Sequence, residues 1–303
     1  MRAVEHAVDL GPGEIAYAKV NLALHVLHRR TDGYHSLESL VAFADYGDML
    51  KATPAPEGRM RLSVTGAFAE VLRQTTKPEN NLVIRAATEL ARAAGKTPIA
   101  PTQIDLVKRI PIAAGLGGGS ADAAAALRLL DREWKISLGT ERLAEIGQRL
   151  GADVPMCLAS KPLVAKGIGE RIRLVPNMPS LPIVLAHPGV PIPTAEVFAR
   201  LPEDERSGLP ALPDKFPTVL EVIFWLRQAR NDLAEPAAAV NKAAASAAKT
   251  LMRDPDCMFA RMSGSGAAAF GIFINLAAAE RAAERLRAAK PDWWIVAART
   301  LSS

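Results

Sequence analysis

The sequence has few cysteines and no long apolar run, and both absences narrow the class of protein. Its two cysteines, Cys157 and Cys257, lie far apart among apolar neighbours. That setting favours buried free thiols over a disulfide or a pair of metal ligands. No run of about 18 apolar residues is present, so we expect no membrane span. Glu5, His6 and Asp9 stand where a signal peptide needs an apolar stretch, and we therefore expect a cytoplasmic protein.

Aromatic residues are also scarce, at 5% of the chain, and the formal net charge is only +5. The basic side chains are scattered rather than massed in one stripe, and no aromatic residues are interleaved with them. This pattern is not typical of a nucleic-acid-binding surface, and we expect no nucleic-acid partner. An anionic small substrate explains the mild excess of positive charge equally well.

Strand-like and helix-like segments are mixed along the chain without regular alternation, which predicts an α+β fold. Residues 14–28 alternate in polarity around Lys19 and predict a strand. Residues 80–95 predict a helix that Asn80 or Asn81 can cap. A chain of 303 residues is long enough for one large domain or two ordinary ones.

Two proline clusters, at 176–182 and 188–193, indicate a change of structural unit. We therefore expect an N-terminal domain over residues 1–180 and a C-terminal domain over residues 181–303. A strand is expected on either side of the boundary, with helices following in the second domain.

A glycine-rich segment, PIAAGLGGGSADAAA at residues 111–125, lies between a predicted strand at 102–109 and a predicted helix at 120–131. Glycines let backbone N–H groups approach a ligand closely, and a helix N-terminus adds unpaired donors and a positive dipole end. Together they predict a phosphate-binding loop, to which Ser120 can add a hydroxyl. A Walker loop is not indicated because no lysine precedes Ser120, and a dinucleotide fingerprint is expected nearer the first strand. A flexible turn is the plain structural alternative.

Two charged residues are candidates for chemistry. Asp153 follows Gly151 and precedes Pro155, which predicts a sharp helix-to-strand turn from which a side chain can enter a cleft. A carboxylate there can take the proton of an alcohol as a bond forms, and Lys19 can stabilise the resulting charge. From the residues alone, an Asp that stabilises a turn and a lysine on a solvated strand face remain open alternatives.

Three segments together resemble the GHMP kinase superfamily. PxxxGLGGGS resembles its phosphate loop, residues 16–40 resemble its N-terminal motif, and RMSGSGAAAFGIF at 261–273 resembles its C-terminal glycine motif. The resemblance implies two α+β domains with the active site in the cleft between them. It also implies phosphoryl transfer from ATP, accompanied by Mg²⁺, onto a small alcohol.

Four shorter motifs narrow the resemblance to one member of the superfamily, whose alcohol is linked to cytidine diphosphate. They are K-x-N-L-x-L, DGYH, GADVP at 151–155 and HPGVPIPT at 187–194. The implied partners are therefore a small cytidylyl substrate and ATP. The phosphate loop departs from the family pattern at Ala113 and Ala114, where glycine is frequent. It also reads Ser120-Ala121-Asp122 where a second serine and an asparagine are common.

The resemblance assigns roles residue by residue. Lys19 and Asp153 are the implied catalytic pair, and no residue is assigned as a metal ligand. ATP binding is implied for Pro111, Ile112, Ala113, Ala114, Gly115, Leu116, Gly117, Gly118, Gly119, Ser120 and Ala121, with Asn81 and Lys108 near the adenine. Substrate binding is implied for Asn21, Tyr34, His35 and Thr194, with Tyr34 and His35 holding the cytosine.

Three other interpretations stay open at the level of sequence. The chain can be another GHMP kinase acting on homoserine, a sugar or a mevalonate, and the DGYH and GADVP segments argue against that. It can be a regulator without catalysis, against which the intact Lys19 and Asp153 argue. It can bind nucleic acid, since the N-terminal unit of this fold also occurs in ribosomal proteins. The sequence does not predict an oligomeric state.

Overall fold

The computed structural model describes residues 13–55, 58–95, 101–202 and 204–303. The acidic N-terminal segment that predicts a cytoplasmic protein lies outside those ranges. Within them, every helix is too short or too polar to cross a membrane. Helices and strands are mixed along the chain and form two sheets, so the predicted α+β class is confirmed.

The first sheet is built around one long strand. Its six strands are β1 (Glu14–Arg29), β2 (His35–Pro54), β3 (Arg61–Thr65), β4 (Thr102–Val107), β5 (Leu163–Gly167) and β6 (Arg171–Leu174). One side of β2 pairs with β1, and the other side pairs with β5 near its start and β4 near its end. β3 is parallel to β4, and the other pairs are antiparallel. The long β1–β2 hairpin therefore carries candidate site residues to the middle of the sheet.

Helices cover one face of this sheet. They are α1 (Ala69–Thr75), α2 (Leu82–Ala93), α3 (Gly118–Glu133), α4 (Thr140–Leu150) and α5 (Val154–Ala159), with a 3-10 turn at Pro78–Asn80. α3 is central, because it contacts both β1 and β2 as well as α2 and α5. Its buried positions are mostly alanine, and small side chains let neighbouring elements approach closely. The N-terminus of α3 thereby lies beside the strand that carries Lys19.

The second sheet has the order β10-β7-β9-β8 and is antiparallel. Its strands are β7 (Pro182–His187), β8 (Phe259–Met262), β9 (Ala269–Ile272) and β10 (Trp294–Arg299). The accompanying helices are α6 (Thr194–Phe198), α7 (Val219–Gln228), α8 (Ala234–Val240), α9 (Ser246–Met252) and α10 (Leu276–Ala289), with a 3-10 turn at Lys242–Ala245. α9 and α10 pack on this sheet.

An apolar core joins the two sheets. Val20 and Leu22 of β1 belong to the same buried cluster as Ile183 and Leu185 of β7. Burying one such side chain contributes about 1.5–3 kcal/mol. The last residues of the chain add a backbone bond across the junction, from the Leu301 N–H to the Phe43 carbonyl at 2.7 Å. The first sheet ends at β6 and the second begins at β7, while the division into domains at residue 180 stays a prediction.

Candidate active site

A cavity of about 530 Å³ lies between the two sheets, with walls from β1, β2, α5, α6 and two glycine-rich loops. Most of the sequence-predicted site residues lie together on its wall. They are Lys19, Asn21, Asn81, Lys108, Pro111, Ile112, Ala113, Ala114, Gly115, Gly117, Gly118, Gly119, Ser120, Asp153 and Thr194. Residues from distant parts of the chain therefore meet at one cleft.

Four predicted site residues lie elsewhere. Leu116 and Ala121 are buried in the apolar clusters on either side of the loop, and their side chains do not line the cavity. Tyr34 is 61% exposed in the turn between β1 and β2. The His35 ring lies 5.3 Å from the ring of Phe198, centroid to centroid, and Phe198 is on the cavity wall. Tyr34 and His35 are thus at the rim rather than on the wall.

The glycine loop precedes α3, and two of its glycines are required by its geometry. Gly117 caps α3 with φ +66°, a left-handed conformation that glycine adopts without strain. Gly115 has φ +78°, and a β-carbon on it would overlap the carbonyl oxygen of Ser263. Ala113, where the family often has glycine, also has a positive φ of 52°. α3 begins at Gly118, two residues before the predicted start at Ser120, so its open N–H groups belong to the loop itself.

Hydrogen bonds hold this loop on two sides. On one side the Lys19 N–H donates to the Leu116 carbonyl at 2.9 Å, which ties the loop to β1. On the other side the Ser263 hydroxyl donates to the Gly115 carbonyl at 3.0 Å, and the Ala268 N–H donates to the Ala114 carbonyl at 2.9 Å. The loop is therefore preorganised by both sheets, as a rigid anion cradle requires.

Lys19 and Asp153 form an ion pair on the wall of the cavity, with 2.7 Å between Nζ and Oδ2. The Lys19 side chain is 9% exposed and the Asp153 side chain 36% exposed, so solvent and a ligand reach the carboxylate. Asp153 stands at the N-cap position of α5, yet its carboxylate makes no capping hydrogen bond. The carboxylate faces Lys19 instead of stabilising the turn.

The turn around Asp153 differs from the prediction. It joins α4 to α5, so it connects two helices rather than a helix and a strand. The apolar run after Asp153 contains Pro155, which is favourable in the first turn of a helix. Cys157 lies on the same short helix, and burial raises the pKa of its thiol to about 12. The thiol is therefore an inert core group rather than a nucleophile.

Lys108 lies beneath the glycine loop, where two carboxylates hold its ammonium. It contacts Asp48, and its Nζ is 2.8 Å from Oδ2 of Asp122 in the first turns of α3. Asp48 also accepts backbone N–H groups of Arg109 and Ile110. All three charged side chains are buried. The predicted contact of Lys108 with adenine stays a prediction, and the structure gives its ammonium a supporting position under α3.

Burial of this cluster changes the pKa of Asp122 and that of Lys108. Burial raises the pKa of Asp122 well above its usual value, and the Asp48 carboxylate raises it further against the opposing effect of Lys108. Burial alone would lower the pKa of Lys108, but the two carboxylates raise it above its ordinary value. Lys108 is therefore charged, and the raised pKa of Asp122 means that it takes up a proton more readily than an ordinary aspartate does.

Several residues at the site were missed by the sequence reasoning. Ser263 and Ser265 lie in the glycine motif RMSGSGAAAF, and the Ser265 hydroxyl is 2.8 Å from that of Thr194. The motif itself was a usable signal for these two serines. Asp48 and Phe198 carry no local signal, because an acidic residue in a strand and an aromatic residue in a helix are common. Their roles depend on contacts made across the fold.

Family comparisons agree with this arrangement. Residues 81–161 match the model of the GHMP kinases N terminal domain, and residues 223–292 match that of the GHMP kinases C terminal domain. The first match contains the phosphate loop and Asp153. These two matches define the class of protein as a GHMP kinase, which confirms the resemblance of the sequence motifs and the two-part fold.

Individual relatives narrow the class. The chain is 44% identical to 4-diphosphocytidyl-2-C-methyl-D-erythritol kinase of Mesorhizobium japonicum, over 95% of each chain. It is 47% identical to the enzyme of the same name from Rhizobium etli, over 96% of each. A crystal structure of 4-(cytidine 5'-diphospho)-2C-methyl-D-erythritol kinase matches with a TM-score of 0.76 at 33% identity, covering 96% of this chain and all of that one. The chain belongs to the family of 4-diphosphocytidyl-2-C-methyl-D-erythritol kinases.

Proposed function

We propose that the protein transfers the γ-phosphoryl group of ATP to the 2-hydroxyl of 4-diphosphocytidyl-2-C-methyl-D-erythritol, a step of non-mevalonate isoprenoid precursor biosynthesis. The observation that carries the proposal is the Lys19–Asp153 pair, 2.7 Å apart, on the wall of the cavity that the glycine loop also lines. The names of relatives at 44–47% identity support the identity of the alcohol.

In this mechanism Asp153 accepts the proton of the 2-hydroxyl as its oxygen attacks the γ-phosphorus. One O–P bond forms, the bond from the γ-phosphorus to the bridging oxygen breaks, and ADP leaves. The Lys19 ammonium stabilises the developing negative charge on the attacking oxygen. Phosphoryl transfer depends mainly on positioning and charge stabilisation, which a rigid cleft provides.

The nucleotide phosphates belong at the N-terminus of α3. The N–H groups of Gly118, Gly119 and Ser120 have no partner within the helix, and the helix dipole favours an anion there. Asn81 caps α2 with its side-chain oxygen on the Val83 N–H, which leaves the amide nitrogen as a donor toward the adenine. Thr194, Tyr34 and His35 remain the proposed contacts of the cytidylyl alcohol.

Mg²⁺ fits the site as a partner of the nucleotide rather than as a resident ion. Across the described ranges of the chain, no three His, Cys, Asp or Glu side chains are grouped to hold a metal. Mg²⁺ in kinases is commonly held by one or two protein oxygens together with substrate phosphates, so the Ser120 hydroxyl would supply the contact on the protein side. When bound, the ion neutralises phosphate charge during transfer.

We also propose a cytoplasmic enzyme whose partners are two small molecules. Both cysteines are buried free thiols, which suits a reducing compartment supplied with ATP. The cleft is lined by the loops and side chains assigned to the nucleotide and the alcohol, and the proposal includes no nucleic-acid partner.

The test is a substrate panel with purified protein, [γ-³²P]ATP and Mg²⁺. The panel contains the cytidylyl alcohol, homoserine, mevalonate and galactose. We expect labelling of the cytidylyl alcohol alone, and ³¹P NMR of that product should place the new phosphate on the 2-oxygen. Turnover of homoserine or mevalonate without turnover of the cytidylyl alcohol would assign the chain to a different GHMP activity.

A further inference from the structure

A short strap, residues 206–209, is bonded to the β1–β2 hairpin on the face that points away from the cavity. Leu24 and Leu37 of the hairpin line the cavity. Their neighbours His25 and Glu38 are cross-strand partners, and successive side chains on a strand point to opposite faces, so these two polar groups lie behind the hairpin. His25 is fully buried there. A polar side chain buried so completely needs partners, and the strap supplies them.

Both ring nitrogens of His25 make hydrogen bonds. Its Nδ1 lies 2.9 Å from the Gly208 carbonyl oxygen and 3.2 Å from that of Ser207, and a carbonyl can only accept, so Nδ1 carries the proton. Its Nε2 accepts the Arg230 N–H at 2.9 Å. The ring is therefore neutral, and burial together with the charge of Arg230 lowers its pKa accordingly. One imidazole thus joins β1 to the strap and to the segment between α7 and α8.

Glu38 holds the next residue of the strap. Its Oε2 accepts the Leu209 N–H at 2.9 Å. Gly208 is required for this approach, because a β-carbon there would lie 2.6 Å from the same oxygen. The backbone adds a bond from the Arg206 N–H to the Leu27 carbonyl at 2.9 Å. The strap is therefore fixed to the hairpin at three points along its length.

Helix α6 lies on the other side of the same hairpin end. His35 is two residues before Leu37 on β2, so its ring is on the cavity face, and the Phe198 ring of α6 lies 5.3 Å from it. Ser207 of the strap follows Phe198 by only nine residues in the chain. The hairpin end is thus enclosed between α6 in front and the strap behind. The chain that carries Phe198 is anchored a short distance further on, at His25.

We propose that His25 is a positioning residue for the cytidylyl substrate: through the strap it fixes the spacing between the rings of His35 and Phe198 at the rim of the cleft. This inference rests on the proposed function, in which His35 holds the cytosine. A spacing that is fixed before the ligand arrives removes the cost of ordering the two walls on binding. Loss of His25 should therefore weaken capture of the substrate and leave the chemistry at Lys19 and Asp153 unchanged.

The experiment measures kcat and both KM values, for the cytidylyl alcohol and for ATP, in wild type, His25→Ala, His25→Asn and His25→Gln. His28→Asn, at an exposed position of the same strand, is the matched control. We expect His25→Ala to raise the KM of the cytidylyl alcohol about tenfold, while kcat and the KM of ATP stay within about twofold of wild type. An asparagine N–H can replace the donor at Nδ1 and a glutamine oxygen the acceptor at Nε2, so each variant should recover part of the loss.

Two further variants separate positioning from a general loss of stability. Gly208→Ala leaves His25 intact and displaces the strap, so it should raise the KM of the cytidylyl alcohol without raising that of ATP. In a Phe198→Ala background the KM penalty of His25→Ala should vanish, because the ring whose position His25 controls is gone. This double-mutant cycle reports the coupling between two residues that do not face the same side of the hairpin.

Four results would overturn the inference. An equal rise in both KM values, or a fall in kcat alone, gives His25 a purely structural role. An undiminished penalty in the Phe198→Ala background shows that His25 does not act through that ring. If His25→Ala does not fold, an unchanged KM of the cytidylyl alcohol in folded Gly208→Ala overturns it instead. A wild-type protein that does not phosphorylate the cytidylyl alcohol removes the proposed function, and the inference with it, before any variant is compared.

Discussion

At the scale of single residues, Asp153 carries the sharpest expectation. Asp153→Asn keeps the size of the side chain and removes the base, so kcat should fall roughly 10²–10⁴-fold. The affinity for the cytidylyl alcohol should change far less, because the carboxylate is needed mainly in the transition state. Steady-state kinetics measure both. Asp214→Asn, at an exposed position in the loop before α7, is the matched control. A near-normal kcat for Asp153→Asn would show that Asp153 is not the general base and that its role is limited to the ion pair with Lys19.

Gly117 is a second test at this scale, because two effects coincide there. Its φ is +66°, and a β-carbon would lie 3.1 Å from side-chain carbons of Lys19. Gly117→Val should therefore weaken ATP binding by straining the cradle and should also lower kcat by displacing Lys19. Calorimetry with ATP and steady-state kinetics separate the two effects.

The control for Gly117 is Gly95→Val, at the end of α2. Gly95 has a similar φ of +63° but nothing within 4 Å of its β-carbon position. That variant carries the backbone strain without the contact to Lys19. If Gly117→Val binds ATP with unchanged affinity in a folded protein, the phosphates are bound elsewhere.

At the scale of elements, the buried cluster of Asp48, Lys108 and Asp122 joins the end of β4 to the start of α3. Lys108→Met would leave two buried carboxylates without their cation, and we expect a loss of about 3–5 kcal/mol in the free energy of unfolding. Urea unfolding at neutral pH measures it. Lys166→Met removes an ion pair in which the lysine is exposed and Glu38 is partly buried, and it should cost much less, about 1 kcal/mol or below.

Replacing Asp122 should have the opposite effect on stability from replacing Lys108. Because burial raises its folded pKa above the unfolded value, the contribution of Asp122 to stability is fully present below the unfolded pKa of about 3.9. That contribution is lost as the pH rises through the folded pKa. Asp122→Asn imitates the protonated form, so its stability relative to wild type should increase with rising pH. Urea midpoints over a pH series check this, and a difference independent of pH would show that Asp122 is ionised throughout.

Elements with strong local signals were predicted well, and those without were not. The helix at residues 80–95 was expected from its asparagine cap and closing glycine, and α2 has Asn81 as its N-cap and Gly95 in a left-handed conformation after its end. α5 was missed because a six-residue apolar run does not distinguish a strand from a buried helix. The buried charge cluster was also missed, since Asp48 lies 60 residues before the lysine that it contacts.

At the scale of the whole molecule, the site is a product of long-range contacts. Lys19 and Asp153 are 134 residues apart in sequence, and Asn21 and Ser263 are 242 residues apart, yet each pair is joined by a hydrogen bond. Periodicity and spacing in the sequence describe single helices and strands, and they contain no information on contacts between residues so far apart in the chain. The family resemblance predicts that Lys19, Asn21 and Asp153 lie in one cleft, whereas the contact of Asn21 with Ser263 and the orientation of each side chain are seen only in the structure.

The first sheet also meets α6 at the rim of the cleft, where the ring of His35 at the start of β2 lies beside the ring of Phe198 at the end of α6. Burial lowers the pKa of His35, and the charge of Arg29 lowers it further. The ring is therefore neutral near pH 7 and offers one donor and one acceptor. A cytosine has a flat face that can stack on the rings of His35 and Phe198, and it has a polar edge that can hydrogen-bond to a neutral imidazole. In the proposed function, the rim is therefore the part of the cleft that recognises the base.

His35→Ala should weaken capture of the cytidylyl alcohol by about 1–3 kcal/mol, because a polar edge of the base loses its partner. ATP affinity should be almost unchanged, since the glycine loop binds that ligand separately. A uridylyl analogue presents the opposite pattern of donors and acceptors, so wild type should use it poorly, and the variant should narrow the gap. Measured kcat/KM for both analogues with both proteins decides it, with His28→Ala at the exposed end of β1 as the control. An unchanged preference in His35→Ala would mean that other residues, Tyr34 or the backbone of the same turn, read the base.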